Sequence, residues 1–466
     1  MDPLALGIDL GTTAVKAAIL DRAGRVVATG SAPTRLITGP DGMVEQEAEG
    51  LWRGACEAVR SALSGTALGE AVRAVALSSQ GGTLILSDAS SAPIGNAISW
   101  MDTRPARLAL GDDASVYEKT GWGFRLGCLP LAQLLRLKHE GIPPAKRIDF
   151  VDSYVVERLA GERVSDPSDA AITVLYNVRE GRWDAELLLL AGASREALPR
   201  VVPSGTLVGT IRGEAAAELG VSPEAMVVAG GHDQYCAAFG AGCTKAGDTI
   251  VSCGTAWVVL AMATEARFDL AARLAPAQAV AGGLWGLLGS CSGVGAAADW
   301  FRRAAAPDGG EIPFETLESR AAEVEPCADG VVFVPPAAGG RGRLVGFGLH
   351  DGFGHLARAM LEGAALSARA LLERMRRAGC APSTLKAVGG ATRSSLWMQI
   401  LSDATGLPLE IAGTQDVAAY GAARLAGQSA GIIAPDAPWP QPSARIEPRR
   451  QFSGVYDQLF ERFTRG

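Results

Sequence analysis

The chain has 466 residues, 48% of them hydrophobic and 20% charged, and a formal net charge of −7 at pH 7. This length exceeds what one hydrophobic core ordinarily holds, so two domains are expected. The negative charge argues against nucleic acid or an anionic membrane surface as the main partner, but it is compatible with a local phosphate site.

The cysteines and the N-terminus bear on the cellular compartment. Eight cysteines are scattered along the chain without a CxxC pair, and only four histidines are present. This pattern predicts free thiols and no zinc cluster. The first residues contain no basic segment followed by an apolar one, and no uncharged apolar stretch is long enough to cross a bilayer. We therefore expect a cytoplasmic protein.

Residues 5–20, ALGIDLGTTAVKAAIL, predict a strand, a tight turn and a second strand, with Asp9 at the end of the first strand. Glycine lets a ligand approach the backbone closely, threonine supplies donors, and lysine adds a cation. The candidate phosphate contacts are Gly11, Thr12, Thr13 and Lys16. A carboxylate for Mg²⁺ beside phosphate donors suits a nucleotide site, and a simple turn is the alternative reading.

The next elements place polar residues at the end of a buried strand. Residues 47–63 have the spacing of an amphipathic helix, residues 72–78 form an apolar strand, and residues 83–87 form the following strand. Gln80, Gly81 and Gly82 lie between the two strands. Loops at the carboxyl ends of strands are the usual ligand positions in α/β folds.

Residues 99–104, SWMDTR, carry a second group of candidate substrate contacts. Trp100 would form an apolar wall against a bound ligand. Asp102 and Arg104 would either pair with each other or bind hydroxyls of that ligand. A packed tryptophan beside an ion pair is the alternative without a binding role.

Residues 226–242, MVVAGGHDQYCAAFGAG, predict a strand, a Gly-Gly turn and a helix with Asp233 in its first turn. The helix dipole favours an ionised carboxylate there. Phosphoryl transfer to a hydroxyl requires a carboxylate that accepts the proton, and helix capping is the alternative role for Asp233. Gln234 would orient a hydroxyl or a metal-bound water, while His232 is expected to be structural or to line the rim.

Residues 247–260, GDTIVSCGTAWVVL, repeat the hairpin pattern in the second half of the chain. Gly254 and Thr255 occupy the turn between two apolar strands. Two similar hairpins suggest duplicated α/β domains that bind one nucleotide from two sides.

The remaining motifs belong to the second half. Residues 290–303, SCSGVGAAADWFRR, pass from a glycine-rich turn into a helix, and residues 355–377 predict a long core helix. In residues 387–408 a short strand ends at Gly389 and Gly390, whose backbone would let an adenine or ribose lie flat. Ser394, near the start of the next helix, would hydrogen-bond the edge of the base.

With both hairpins and the segment Gly231-His232-Asp233-Gln234, the sequence resembles the FGGY carbohydrate kinases, members of the sugar kinase–actin–Hsp70 superfamily. The resemblance covers the chain from Leu6 to about residue 460. It implies an α/β fold with two actin-like (ribonuclease H-like) domains, residues 1–244 and 245–466, that face each other across a cleft for nucleotide and sugar. The first would hold the sugar and the catalytic base, and the second the nucleotide.

The resemblance also implies roles for individual residues. Asp233 would be the general base, Asp9 and Asp233 would hold Mg²⁺, and Gln80 would touch the sugar. The nucleotide contacts implied in the second half are Gly254, Thr255, Gly295, Asp299, Gly389, Gly390 and Ser394. Asp416 stands where relatives carry glutamate, a change that we expect to be minor.

The residues after Gln80 depart from the best-known family members. Xylulose kinases carry Met-His-Gly there and glycerol kinases carry Arg-Glu, whereas this chain has Gly81-Gly82. A roomier pocket, or polar groups from other loops, is therefore expected. By family frequency the substrate would be a pentulose such as xylulose. Glycerol, a tetritol, ribulose or gluconate are alternatives, as is an actin- or Hsp70-like ATPase switch. A homodimer is common among relatives.

Overall fold

Strands and helices alternate along the computed structural model, which describes residues 2–108, 113–123, 127–254, 256–280, 282–291, 293–306, 309–336 and 340–465. The chain divides into two compact units. The first contains the chain up to Thr244, together with Ala263–Leu287 and Thr414–Pro440. The second contains Lys245–Met262, Leu288–Gly413 and the chain from Gln441 onward. Within the described ranges, no helix is long and apolar enough to span a bilayer.

The strands are β1 (Leu4–Leu10), β2 (Ala14–Leu20), β3 (Val26–Pro33), β4 (Ile37–Thr38), β5 (Val44–Gln46), β6 (Val72–Ser79), β7 (Leu84–Ser87), β8 (Ala97–Ile98), β9 (Arg147–Phe150), β10 (Val164–Ser165), β11 (Tyr176–Asn177), β12 (Arg182–Trp183), β13 (Arg200–Val201), β14 (Leu207–Thr210), β15 (Met226–His232), β16 (Thr249–Cys253), β17 (Trp257–Ala263), β18 (Ala275–Gln278), β19 (Trp285–Cys291), β20 (Val332–Val334), β21 (Arg343–Val345), β22 (Leu385–Val388), β23 (Leu409–Ile411) and β24 (Ala444–Ile446).

The α-helices are α1 (Ala48–Leu63), α2 (Asp113–Thr120), α3 (Pro130–His139), α4 (Val151–Ala160), α5 (Pro167–Ile172), α6 (Ala185–Ala191), α7 (Gly213–Leu219), α8 (Asp233–Gly240), α9 (Val294–Ala304), α10 (Phe314–Ala322), α11 (Phe353–Arg377), α12 (Ser395–Thr405), α13 (Val417–Ser429) and α14 (Ser453–Arg465). The α/β fold class and the elements predicted around both hairpins are confirmed.

The main sheet of the first unit has the strand order β14-β15-β6-β1-β2-β3. Its central strands β15, β6 and β1 are parallel, while β1 and β2 form the predicted antiparallel hairpin. Ser78 of β6 pairs with Asp9 on one side and with Gly231 on the other. The carboxyl ends of the three parallel strands therefore bring Asp9, Ser78 and the start of α8 together.

Both faces of this sheet are covered, as expected for nearly continuous apolar strands. Leu6 and Ile8 face the core that contains α1, and the intervening Gly7 faces α13. A Cβ on Gly7 would lie 2.0 Å from the Ala419 carbonyl oxygen, so α13 packs directly against the β1 backbone. Asp9, two residues after Gly7, lies on the same face as α13.

In the second unit, the sheet contains β19, β17, β16, β22, β23 and β24 in that order. The hairpin β16–β17 is antiparallel, and β16 runs parallel to β22, as β1 does to β6 in the first unit. This correspondence confirms the hairpin predicted at residues 247–260. All eight cysteines are free, and seven are buried, which agrees with the predicted thiols.

Candidate active site

Asp9 lies at the carboxyl end of β1 among charged and polar groups of the first unit. Its Oδ1 accepts a hydrogen bond from Ser78 Oγ at 2.7 Å. Lys16, its partner across the hairpin, forms an ion pair with Asp416 Oδ1 at 2.7 Å. Burial, and next the neighbouring charge of Asp233, raise the pKa of Asp9 to about 7. The lysine predicted to meet phosphate is thus held by the residue that precedes α13.

Asp233 is the first residue of α8, as predicted. The residue that caps this helix is His232, whose Nδ1 accepts a hydrogen bond from the Gln234 amide at 3.4 Å. Asp233 is therefore not the N-cap residue of α8, although its carboxylate also accepts a hydrogen bond from the Gln234 backbone. Burial raises the pKa of Asp233 to about 6, although hydrogen bonds from Gln234 act in the opposite direction. Loss of hydration outweighs the helix dipole, so the ionised form is less favoured than the sequence suggested.

His232 and Gln234 flank Asp233. Burial lowers the pKa of His232 to about 4, so its imidazole is neutral at pH 7. Its backbone amide donates to Ser168 Oγ at 2.9 Å, which gives His232 the structural role that was predicted. The Oε1 of Gln234 is buried and has no hydrogen-bond partner among the described residues. This acceptor is suited to a ligand hydroxyl or a coordinated water.

A chain of hydrogen bonds joins the first hairpin to the predicted sugar contacts. The Thr12 hydroxyl donates to Gln80 Oε1 at 2.7 Å and accepts from Trp100 Nε1 at 3.0 Å. Gln80 Nε2 donates to Gln46 Oε1 at 2.8 Å, and Gln46 Nε2 donates to the Thr12 carbonyl at 3.2 Å. Gln46 and Gln80 are both buried. Thr13 is exposed at the tip of the turn, beside Gly11.

The space beside Gly81 and Gly82 is filled by neighbouring side chains. A Cβ on Gly81 would lie 2.2 Å from Cδ2 of His232, and one on Gly82 would lie 2.9 Å from Cδ2 of Leu129. Gly82 also has a φ of +79°, a conformation that favours glycine. Side chains from distant segments therefore occupy the volume that a Cβ at either position would take, while the expectation of a roomier pocket, or of polar groups from other loops, stays a prediction.

Asp102 and Arg104 form the ion pair that was considered from the sequence. The guanidinium lies 2.6 Å from Asp102 Oδ2 and 2.7 Å from Glu45 Oε1. Asp102 also accepts hydrogen bonds from the amides of Val44 and Arg104, and its side chain is fully buried. A sugar contact by Asp102 would have to displace one of these partners, whereas Trp100 is partly exposed.

The predicted nucleotide contacts of the second unit lie around its own hairpin. Gly389 follows β22 with a φ of +99°, and a Cβ there would lie 2.8 Å from the Cys253 carbonyl oxygen. Gly390 begins a short 3₁₀ helix nearby, and Gly254 is exposed in the hairpin turn. Thr255 lies outside the described residues. The glycine at position 389 allows the loop after β22 to approach the hairpin backbone.

Other predicted nucleotide contacts have protein partners. Ser394 caps α12 by accepting from the Trp397 amide at 3.0 Å, and its hydroxyl donates to Glu318 at 2.6 Å. Gly295 lies in the first turn of α9, and Asp299, on the same helix, lies 3.5 Å from the guanidinium of Arg302. The Ser394 hydroxyl could therefore still accept a hydrogen bond from a base, but it could donate one only if Glu318 gave up its own.

Two groups of residues were not found from the sequence. Gln46 and Ser78 contact Thr12, Gln80 and Asp9, and the only local signal was their position at strand ends. The second group is a carboxylate cluster of Asp152, Asp166 and Asp169, whose ligand-type atoms lie within 4.8 Å of one another. Burial raises the pKa of all three carboxyls, that of Asp152 to about 7.

The comparison with known proteins identifies the family. Residues 4–240 match the N-terminal domain of the FGGY family of carbohydrate kinases, and residues 249–430 match its C-terminal domain. Glycerol kinase from Gloeobacter violaceus is 33% identical over 452 residues, which cover 92% of this chain and 88% of the relative. Glycerol kinase from Trichlorobacter lovleyi is 34% identical, with 91% of this chain and 90% of the relative covered.

Solved structures agree with the sequence comparison. Xylulose kinase from Rhodospirillum rubrum superimposes with a TM-score of 0.89 at 28% identity, covering 99% of this chain and 97% of that one. This similarity confirms the actin-like α/β fold, and the match to both family domains confirms the predicted carbohydrate kinase activity. The chain belongs to the FGGY family of carbohydrate kinases.

Proposed function

We propose that this carbohydrate kinase transfers the γ-phosphoryl group of ATP to a hydroxyl of a pentulose such as xylulose, with Asp233 as the general base and Mg²⁺ as the metal. The observation that carries the proposal is the approach of Asp9, near the end of β1, to Asp233, which follows β15; these two parallel strands lie on either side of β6, and the charge of Asp233 acts on Asp9. Two nearby carboxylates suit metal-assisted phosphoryl transfer, because one or both can bind the metal ion and one can accept the proton of the attacking hydroxyl.

In the proposed reaction, Asp233 accepts the proton of the attacking hydroxyl as the hydroxyl oxygen bonds to the γ-phosphorus and ADP leaves. The raised pKa of Asp233, about 6, brings the base closer to neutral pH and thus improves proton transfer while the group remains mostly ionised. Gln234 Oε1, which has no hydrogen-bond partner in the described part of the chain, would accept a hydrogen bond from a hydroxyl of the sugar or polyol substrate. His232, being neutral, would support the helix start without competing for the proton.

The carboxyl groups fit a divalent cation. Each of Asp9 and Asp233 has a raised pKa because its charge is poorly hydrated, and the charge of Asp233 raises the pKa of Asp9 further. Mg²⁺ prefers carboxylate oxygens and would neutralise charge on the phosphates. The side chains of Asp9 and Asp233 would hold it, and Thr12, Thr13, Gly11 and Lys16 would bind phosphate oxygens.

The second unit would supply the rest of the nucleotide site. Gly254, Thr255 and Gly389 are the proposed contacts closest to the second hairpin, and Gly295, Asp299, Gly390 and Ser394 complete the proposal. The division of labour between residues 1–244 and 245–466, the cytoplasmic location and the homodimer remain predictions. Membership of a carbohydrate kinase family speaks against the alternative of a conformational ATPase switch.

The identity of the sugar or polyol that accepts the phosphoryl group is the most specific part of the proposal. A pentulose is supported by the similarity to xylulose kinase structures. Glycerol is the second candidate, because relatives at 33% and 34% identity are named glycerol kinases. The Gly81-Gly82 pair matches the motif of neither enzyme, so the polar contacts to the acceptor would come from Gln80, Gln234 and the Trp100 segment.

An assay of ADP release tests the proposal directly. The purified protein is offered ATP and Mg²⁺ with xylulose, ribulose, hexuloses, gluconate, glycerol or a tetritol. We expect the highest kcat/KM with a pentulose. A preference for glycerol would replace the first candidate with the second, and ADP release that no acceptor stimulates would contradict the kinase assignment.

A further inference from the structure

We propose that Gln46 is a positioning residue that couples acceptor binding to phosphate binding through Gln80 and Thr12. The inference rests on the proposed function, because it takes Gln80 and Trp100 as acceptor contacts and Thr12 as a phosphate contact. Gln46 itself lies at the end of β5 and is buried, so it acts through these neighbours.

The first step is the orientation of the Gln80 amide. Gln80 Nε2 donates to Gln46 Oε1 at 2.8 Å, so the amide nitrogen points toward Gln46 and the amide oxygen points toward Thr12. An amide group has one acceptor end and one donor end. Without Gln46, a buried NH₂ group would lose its acceptor, and rotation of the amide would become favourable.

The second step concerns the Thr12 hydroxyl. Its single proton is donated to Gln80 Oε1, and it accepts from Trp100 Nε1. A hydroxyl has only one donor, so in this arrangement Thr12 has no proton left for a phosphate oxygen. A sugar or polyol substrate that hydrogen-bonds to Gln80 and Trp100 in place of Thr12 would leave the Thr12 proton free to be donated to a phosphate oxygen.

The third step is the backbone of the phosphate turn. The Thr12 carbonyl accepts from Gln46 Nε2 at 3.2 Å and from Thr34 Oγ1 at 2.5 Å. The amide of Gln46 therefore contacts both segments: its Nε2 donates to the Thr12 carbonyl of the phosphate turn, and its Oε1 accepts from Gln80, a proposed contact of the sugar or polyol. A change at this side chain should alter the binding of both substrates, although it touches neither.

The test compares Gln46→Leu with Gln46→Glu and with Asn177→Leu. Asn177 is a buried amide that bonds to Asp184 and to the Arg179 amide, far along the chain from these loops. We expect Gln46→Leu to raise KM for both ATP and the acceptor by about tenfold, the worth of roughly one hydrogen bond, with kcat changed less than about threefold. Gln46→Glu retains an acceptor oxygen for Gln80 and should recover most of the acceptor KM.

A double-mutant cycle with Trp100→Phe isolates the coupling, because phenylalanine keeps a ring but removes the donor to Thr12. The effects on the ATP KM should be non-additive if the chain of hydrogen bonds acts as a unit. Additive effects, or a rise in the acceptor KM alone, would overturn the inference. So would equal KM changes in Asn177→Leu, which would show that lost stability is the cause.

The cycle also separates this inference from the proposed function. If no acceptor stimulates ADP release by the unmodified protein, the proposed function fails. Calorimetric binding of ADP to the same variants still measures the coupling between Gln46 and Trp100 at Thr12. Non-additive ADP affinities would then support the coupling, and additive ones would overturn it.

Discussion

At the residue scale, a substitution of Asp233 can test its proposed role as general base with little effect on the surrounding structure. The helix α8 is capped by His232, so removal of the Asp233 charge leaves the cap intact. Asp233→Asn should reduce kcat by about 10²–10⁴, the usual contribution of a general base, with little change in ADP affinity. Measurements are acceptor-dependent ADP release and calorimetric ADP binding.

Asp184 provides the matched control, because it caps α6 by accepting from the Glu186 and Leu187 amides. Asp184→Asn should cost about 0.5–2 kcal/mol of stability at most and leave kcat unchanged. Turnover by Asp233→Asn equal to that of Asp184→Asn would remove Asp233 from the mechanism.

Asp9 is the second residue for which a single substitution is informative. Asp9→Asn keeps an oxygen for the Ser78 hydroxyl but removes the negative charge. We expect the Mg²⁺ concentration for half-maximal ADP release to rise about tenfold or more, because a carboxylate binds Mg²⁺ far better than an amide does. Asp21→Asn, at a partly buried turn position that contacts Arg25, is the control. An unchanged Mg²⁺ requirement in Asp9→Asn would assign this carboxylate another role.

At the element scale, the position of Asp9 depends on how closely α13 approaches β1. A Cβ on Gly7 would lie 2.0 Å from the Ala419 oxygen and 2.3 Å from the Ala423 nitrogen, and both are backbone atoms of a buried helix. Gly7→Ala should therefore destabilise the protein by about 1–3 kcal/mol or more, because the strand and the helix must separate. Thermal unfolding measures the loss.

Gly213 offers the comparison for this prediction. It begins α7, and no atom of the described residues lies within 4 Å of a Cβ built there. Gly213→Ala should be neutral or slightly stabilising, since alanine favours a helix more than glycine does. Equal melting temperatures for Gly7→Ala and Gly213→Ala would mean that the packing of α13 on β1 is looser than described.

At the scale of the whole molecule, the carboxylate cluster of Asp152, Asp166 and Asp169 should make stability depend on pH. Burial raises the pKa of these groups in the folded protein, that of Asp152 to about 7 from an ordinary value of 3.8. Between these pH values the folded chain binds more protons than the unfolded chain, so the free energy of unfolding falls as pH rises. The loss is complete once the pH exceeds the folded pKa values.

The melting temperature of the metal-free protein should therefore decrease from pH 5 to pH 8. Asp169→Asn removes one of the three charges, and its decrease should be smaller. Asp88→Asn is the control, because Asp88 is an exposed turn residue whose pKa is lowered by hydrogen bonds from Ser90, and it titrates below this range. A melting temperature that rises with pH, or an unchanged slope in Asp169→Asn, would contradict the assignment.

Local signals in the chain were sufficient to predict the two hairpins, the long helix α11 and the position of Asp233 in the first turn of α8. Apolar periodicity and glycine-rich turns act over a few residues, so they can be read without knowledge of distant partners. The family motifs lie in these same segments, which is why the carbohydrate kinase assignment was also accessible from the amino-acid order.

Contacts between distant segments were not accessible in this way. The Thr12 hydroxyl meets Trp100 across 88 residues, and Gln46 meets the Thr12 carbonyl across 34. The filling of the space at Gly81 by His232, and the raised pKa of Asp233, likewise depend on which segments pack together. Hydration and packing are properties of the assembled fold. Residues distant in sequence exclude water from a site and fill the space around it, and the local sequence of the site does not specify which residues these are.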